Sequence, residues 1–344
     1  MGVVPFVSII VPCRNEEHFI RACLESLTSQ TYPTTRMEII VVDGSSTDST
    51  RRIVETCSRR DKRIRLLTNA EEYVANGLNR GIAAATGEII IRMDGHATAN
   101  HDFVEQSVRL LRSHPEAWTV GGPIMHKGRS VTGQAIAIAM SHPFGVGNAK
   151  HRFPGYEGYV DGAAMATCWR WLFERVGTFD ENFIRNEDDD LSLRITKHGG
   201  RIYVSPAVRY TYCVRDGLCA LWHQYLQYGF WKLALVRKHH QVVSFRMIVP
   251  TLFVAASVVG ILDLAIGGCL GRTLSVAVPI LYVVTNLCVS LRAARKQPLT
   301  VKMRVSLAFA AMHTGYGVGF GCALLRWMVG LAARIPRRMT ALTR

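Results

Sequence analysis

Beyond residue 236 the chain all but abandons acidic side chains. Residues 237–344 hold 14 Lys and Arg against a single acid, Asp263, whereas residues 1–236 hold 27 against 25. The basic third also carries three mostly apolar runs, residues 247–266, 273–291 and 305–325, each close to the ~20 residues a helix needs to cross a bilayer. Two solvents are implied. The first two-thirds can bury a core in water, and the last third has the composition of membrane helices. The net charge of +15 therefore does not mark a nucleic-acid binder, and 49% hydrophobic residues exclude a disordered chain.

The charges flanking the apolar runs set an orientation. Arg237, Lys238 and Arg246 precede the first run, Arg272 alone separates the first from the second, and Arg292, Arg295, Lys296, Lys302 and Arg304 separate the second from the third. The positive-inside rule places the N-terminal domain and the second connection in the cytoplasm. Three full crossings would strand Arg334, Arg337, Arg338 and Arg344 outside. Either the third run re-enters and returns, or Leu324–Met339 lies as a basic amphipathic helix on the cytoplasmic surface. Nine cysteines without a C-x-x-C pair suit reduced thiols, and Met1–Val7 is too short for the apolar core of a signal peptide. The expectation is a multi-pass protein of the inner cell membrane with its catalytic domain in the cytoplasm.

In the N-terminal part, continuous apolar runs at Val7–Pro12, Met37–Val42, Ile64–Leu67 and Glu88–Met93 alternate with amphipathic patterns at Glu16–Ser29, Asp48–Arg59 and Tyr73–Ala85. Strands apolar on both faces, separated by helices, predict an α/β fold with a mostly parallel sheet. Polar residues follow the strand ends: Pro12-Cys-Arg-Asn-Glu-Glu17, Asp43-Gly-Ser-Ser-Thr-Asp48 and Asp94-Gly-His96. Ligands bind at that edge of an open sheet. The first turn has no glycine and no Walker A loop is present, so dinucleotide oxidoreductase and P-loop chemistry fit poorly.

Three acidic stations instead suit a nucleotide-sugar. Asp43 can accept from a base or ribose group. Asp94 and His96, two residues apart, can share a divalent metal on a diphosphate, the histidine nitrogen tilting the choice from Mg²⁺ toward Mn²⁺. Further on, Glu187-Asp-Asp-Asp190 opens a helix. Acids there are favoured by the helix dipole, and one of them can also serve as a general base; composition alone does not say which.

The blocks Val7–Glu17, Val41–Asp48, Asn79–Glu88 and Glu187-Asp188 resemble, in order and spacing, the family 2 glycosyltransferases of the GT-A fold, with members from exopolysaccharide biosynthesis the most similar. The resemblance implies a domain of residues 1–215 with a mixed, mostly parallel sheet flanked by helices, an amphipathic interfacial helix and linker at 216–246, and a membrane region at 247–344. It implies an inverting transferase that uses a UDP-sugar and Mn²⁺ or Mg²⁺. Pro12, Arg14 and Glu16 would surround the uridine, Asp43 would bind uracil, and Asn79 would fall on the nucleotide site. Asp94 would bridge ribose and metal with His96 as the second metal ligand, and Asp188 would be the catalytic base with Glu187 beside it.

Processive members carry Q-x-x-R-W before their channel. Here Gln224, Tyr228 and Trp231 share one helical face without the arginine, which points to one sugar per encounter. That face either lines the acceptor site or lies on the membrane. The implied reaction moves a sugar, with UDP-glucose the expected donor, onto a lipid-linked (polyprenyl-diphosphate) saccharide, with other polysaccharide-assembly enzymes as further partners and no nucleic acid. Transfer to polyprenyl phosphate itself is the runner-up, and an inactive scaffold of an assembly complex is the reading from another class.

Overall fold

The computed structural model describes residues 4–162, 166–241, 247–266, 269–331 and 337–340. The chain divides into two compact units, Met1–Met125 with Ala149–Cys213, and His126–Asn148 with Val214–Thr343. The first unit opens with β1 (Val7–Cys13), α1 (Ile20–Thr28), β2 (Met37–Asp43), α2 (Thr50–Arg60), β3 (Ile64–Thr68), α3 (Val74–Ala84) and β4 (Ile89–Arg92). Strand and helix alternate as the sequence predicts. After β5 (Ala97–Ala99), α4 (Phe103–Ser113) and β6 (Ala117–Gly121), the chain leaves this unit within β7 (Met125–Lys127) for α5 (Val131–Met140) and α6 (Pro143–Val146). It returns for β8 (Gly158–Val160), β9 (Thr167–Trp169), α7 (Trp171–Val176), α8 (Glu187–Lys197), β10 (Arg201–Val204) and β11 (Tyr210–Cys213).

Eight strands form one sheet in the order β3-β2-β1-β4-β9-β6-β10-β8. The half containing β1 to β4 is parallel, β9 runs antiparallel between β4 and β6, and β8 closes the far edge antiparallel to β10. Alternation along the strands supplies both faces. Ile9, Val11, Ile39, Val41, Ile89 and Ile91 pack on α1, α2 and α4, while Ile10, Ile40, Val42 and Ile90 pack on α3, α7 and α8. Each fully buried side chain of this size contributes roughly 1.5–3 kcal/mol. At Gly81 a Cβ would stand 2.3 Å from Ile10 Cγ2; the missing methyl lets α3 lie directly on β1.

One buried polar cluster sits at the opposite end of the strands from the binding edge. Glu38 accepts from Ser8 Oγ (2.7 Å), from the Thr86 amide and hydroxyl (2.8 and 2.7 Å) and from Arg65 Nη1 (2.8 Å). Burial pushes its pKa up, but these donors outweigh burial and hold it below the usual glutamate range.

The second unit holds α5, α6, α9 (Leu218–His239), α10 (Val249–Ala265), α11 (Cys269–Ala293), α12 (Leu299–Met328) and the short α13 (Arg337–Thr340). Among the described residues, Ser275–Ala293 of α11 and the whole of α12 are long and apolar enough to cross a membrane, and α10 is a shorter apolar helix of 17 residues. The three apolar runs thus become three helices, the first just short of a full span. At 30 residues α12 is about 45 Å long and continuous, so residues 305–325 do not re-enter and turn back. Residues 332–336, within the amphipathic segment considered for the tail, lie outside the described residues.

Glycines set the spacing of α9 and α12. A Cβ at Gly319 would lie 2.0 Å from Leu226 O, and one at Gly229 would lie 2.2 Å from Tyr316 O. The two backbones touch where side chains would otherwise stand.

Candidate active site

The candidate site residues Pro12, Arg14, Glu16, Asp43, Asp94 and His96 gather where β1, β2 and β4 end. Two non-glycine residues there, Asn15 and Ser45, take left-handed backbone conformations (φ 53° and 54°). Local bonds hold them. Asn15 Oδ1 accepts from the Thr47 amide (2.9 Å), the Asn15 amide donates to Ser46 Oγ (2.9 Å), and the Glu16 amide donates to Thr50 Oγ1 (2.7 Å). The β1–α1 and β2–α2 turns are thereby clasped into one platform. Pro12 forms its floor as the penultimate residue of β1, paired with Val42.

Asp43 is 1% exposed. Its carboxylate accepts from Ser46 Oγ (2.5 Å) and faces Arg51 Nη1 at 3.5 Å. Arg14 pairs with Glu72 at 2.9 Å on the neighbouring loop.

Asp94 and His96 lie on a tight turn after β4, closed by the Ala97 amide donating to Asp94 O (2.9 Å). Asp94 accepts from Arg92 Nε at 3.2 Å. His96 Nδ1 stands 2.8 Å from Glu16 Oε1, and the ring meets Tyr212 edge-on, with centroids 4.6 Å apart. His96 Nε2 is buried and has no hydrogen-bond partner among the described residues.

Arg92 is the residue that the sequence reading missed. It ends β4, and its guanidinium reaches Asp94 on one side and, through Nη2, Glu187 Oε1 at 3.4 Å on the other. Burial disfavours its charge, yet Asp94, Glu187 and Asp188 together hold it firmly protonated. The signal was present: a cation on the strand Ile89-Ile-Ile-Arg92 demands carboxylate partners once the strand is covered on both faces.

At the head of α8 the four consecutive acids have separate surroundings. Asp190 is fully buried against Arg194 Nε (2.9 Å), whose guanidinium also binds the carbonyls of Val176, Gly177 and Thr178. Glu187 faces Arg92; burial and the charge of Asp188 raise its pKa to about 7. Asp188 accepts the Asp189 amide (2.9 Å) and, with Arg92 and Ser192, borders a mostly apolar cavity of about 30 Å³ whose walls include Ile10, Leu78 and Leu191 of the core. Of the four, Asp188 alone lines that cavity.

Asn79, expected at the nucleotide, has its amide engaged elsewhere. Nδ2 donates to Phe179 O (2.8 Å) and Glu181 Oε1 (2.9 Å), and Oδ1 accepts the Phe179 amide (2.9 Å). It clamps the loop before α8. In the second unit, Gln224 Oε1 accepts from Arg215 Nε (3.0 Å), Gln224 Nε2 donates to Tyr228 Oη (2.8 Å), and Trp231 Nε1 donates to Met339 O (2.9 Å). The one-face spacing is real, and Gln224 and Trp231 are buried.

A divalent metal, implied by the resemblance, fits the Asp94–His96 turn. A hard carboxylate and an imidazole nitrogen without a hydrogen-bond partner among the described residues form its donor set. No group of three or more His, Cys, Asp or Glu side chains stands round one point among the described residues, so a diphosphate would have to complete the coordination.

Residues 8–166 match the model of "Glycosyl transferase family 2". The succinoglycan biosynthesis protein ExoA of Rhizobium meliloti is 30% identical over 245 residues, covering 70% of this chain and 73% of that protein. A dolichyl N-acetyl-alpha-D-glucosaminyl phosphate 3-beta-D-2,3-diacetamido-2,3-dideoxy-beta-D-glucuronosyltransferase of Methanococcus voltae is 27% identical, covering 68% of this chain and 74% of that one. The solved mannosyltransferase PcManGT from Pyrobaculum calidifontis, in complex with GDP-Man and Mn²⁺, is similar in fold, with a TM-score of 0.54 and 21% identity over 98% of this chain and 84% of that one. With the four motif blocks in place on this sheet, the chain belongs to glycosyltransferase family 2, with a GT-A catalytic fold.

Proposed function

We propose that the protein is an inverting, metal-assisted glycosyltransferase that moves one sugar from a nucleoside-diphosphate donor, UDP-glucose as first choice, onto a lipid-linked saccharide at the cytoplasmic face of the membrane. The carrying observation is Arg92. This buried cation touches both Asp94 of the metal turn and Glu187 at the head of α8, beside Asp188. One side chain thus ties the leaving-group end of the reaction to the acceptor end.

On this reading Pro12, Arg14 and the turn shaped by Asp43 receive the nucleotide. Asp94 and His96 hold Mn²⁺ or Mg²⁺, which when bound would neutralise charge developing on the diphosphate. Asp188 takes the proton of the acceptor hydroxyl as that oxygen attacks the anomeric carbon on the face opposite the diphosphate. Arg92 keeps Asp94 and the α8 acids at fixed separation and supplies a positive charge that is already oriented.

The lipid-linked acceptor is supported by the helices of the second unit. In α10 and α11 large apolar side chains stand exposed, among them Leu252, Ile261, Leu262, Ile280, Leu281 and Val284. Core helices of a water-soluble protein would bury them. The basic connection Arg292–Arg304 and the basic tail suit the anionic cytoplasmic leaflet.

The test is nucleotide release by detergent-solubilised protein with Mn²⁺ across UDP-glucose, UDP-galactose, UDP-N-acetylglucosamine and GDP-mannose. Each donor is offered polyprenyl phosphate, a lipid-linked saccharide extract, or no lipid. Release that needs one donor, metal and the lipid-linked saccharide supports the proposal. Release with polyprenyl phosphate alone selects the runner-up acceptor, and folded protein that binds no nucleotide overturns the enzyme reading.

A further inference from the structure

The resemblance puts Glu16 beside the uridine, and the structure shows its carboxylate meeting the ring of His96. Glu16 is 4% exposed, and its Oε1 lies 2.8 Å from His96 Nδ1. A carboxylate can only accept, so the proton of that bond sits on Nδ1, and in the neutral ring the lone pair is left on Nε2. Nε2 is the atom with no partner among the described residues. The ring is also held in plane by the edge-on contact with Tyr212 (interplanar angle 79°). Glu16 is itself anchored, because its amide is bonded to Thr50 Oγ1 across the platform.

We propose that Glu16 is a positioning residue for the metal. Through its carboxylate it fixes the tautomer and ring orientation of His96, so that Nε2 faces a divalent cation. This deepens the metal reading above and rests on it. A carboxylate in the second metal position, as in D-x-D, has no tautomer to fix. A histidine in that position needs a partner on its other nitrogen, and β1 supplies one from its own following turn.

The test uses the full chain in detergent and reads Mn²⁺ binding from the loss of the free-ion electron paramagnetic resonance signal, with UDP present. UDP binding is measured separately in EDTA. Glu16→Gln keeps the shape of the side chain but replaces a group that can only accept by an amide that can equally donate to Nδ1, so the proton is no longer fixed there and the tautomer with Nε2 protonated becomes accessible. Mn²⁺ affinity is expected to fall about 10–100-fold, well beyond any change in UDP affinity measured in EDTA.

The companion variant is His96→Asp, where Glu16 would face a second carboxylate. In that background Glu16→Gln is expected to leave Mn²⁺ affinity unchanged or improve it. Circular dichroism melts confirm that each variant is folded. Wild-type Mn²⁺ affinity in Glu16→Gln overturns the proposal while leaving the metal reading intact. So does an equal loss in both backgrounds, or a matching loss of UDP affinity in EDTA. Wild-type protein that binds no Mn²⁺ in the presence of UDP overturns the metal reading and the proposal together.

Discussion

Glu187 and Asp188 are neighbours in sequence with opposite assignments. Asp188→Asn removes the proposed base, worth about 10²–10⁴-fold in turnover, and is expected to leave nucleotide binding as it was. A variant keeping a tenth of wild-type turnover would displace Asp188 from that role. Glu187 carries a different signature. Its folded pKa, about 7, stands above the ordinary 4.5, so the folded state binds the proton more tightly than the unfolded one. Its contribution to stability is full below about pH 4.5 and is lost as the pH rises through 7. Glu187→Gln abolishes that dependence. Urea midpoints of both proteins at pH 5 and pH 8 should show the glutamine variant gaining on wild type at the higher pH; a constant gap would refute the assignment. These roles were only half legible in the sequence. Spacing paired Asp94 with His96, and only the resemblance singled out Asp188 among four consecutive acids; the partners of Arg92, Glu16 and Asn79 lie 95, 80 and 100 residues away in the chain. Only the finished sheet brings such pairs together.

At the scale of elements, the strands and helices of the N-terminal half were readable because each β-strand is apolar on both faces and each helix on one. The alternation of Ile9 and Ile91 against Ile10 and Ile90 then decides which helix covers which face. Packing between helices was less readable, since a glycine-rich stretch marks a close approach without saying to what. Residues 305–325 declare their small side chains, and the structure supplies α9 as the partner of Gly319. Gly319→Leu would drive its side chain into the Leu226 carbonyl and force the two helices apart. The expected result is a loss of at least 2 kcal/mol, read as a lowered melting temperature in detergent. Gly321→Leu, where Thr251 Cγ2 stands 3.9 Å from the Cβ position, should be far milder. Equal effects would mean that the contact with α9 is unimportant.

For the whole molecule, the informative feature is the excursion at His126–Asn148. Residues 1–215 read as one catalytic domain from sequence, because the mostly apolar ten-residue helix α5 looks the same whether it covers a sheet or another helix. In the structure, α5 and α6 cluster with the C-terminal helices. Phe144 O is bonded to His313 Nε2 at 2.7 Å and its ring packs on Phe309. The excursion nevertheless leaves and re-enters the first unit at one point, where the Ile124 amide donates to His151 O (2.9 Å). A fragment of residues 1–215 is therefore expected to aggregate through uncovered α5. The same fragment with 126–148 replaced by a short Gly/Ser linker should stay monomeric in size-exclusion chromatography. If both behave alike, α5 needs no partner from the C-terminal helices.

The same excursion has a consequence for how the protein is made. When α5 leaves the ribosome, the α12 residues that will cover it are still roughly 170 codons from translation, about 10–30 s at ordinary elongation rates. Until then the nascent chain carries an apolar helix looped out of a sheet that is itself incomplete, since β8, β9 and β10 follow it. Such transiently uncovered apolar surface is prone to aggregation, so the hazard falls in the interval when the catalytic domain is still being synthesised.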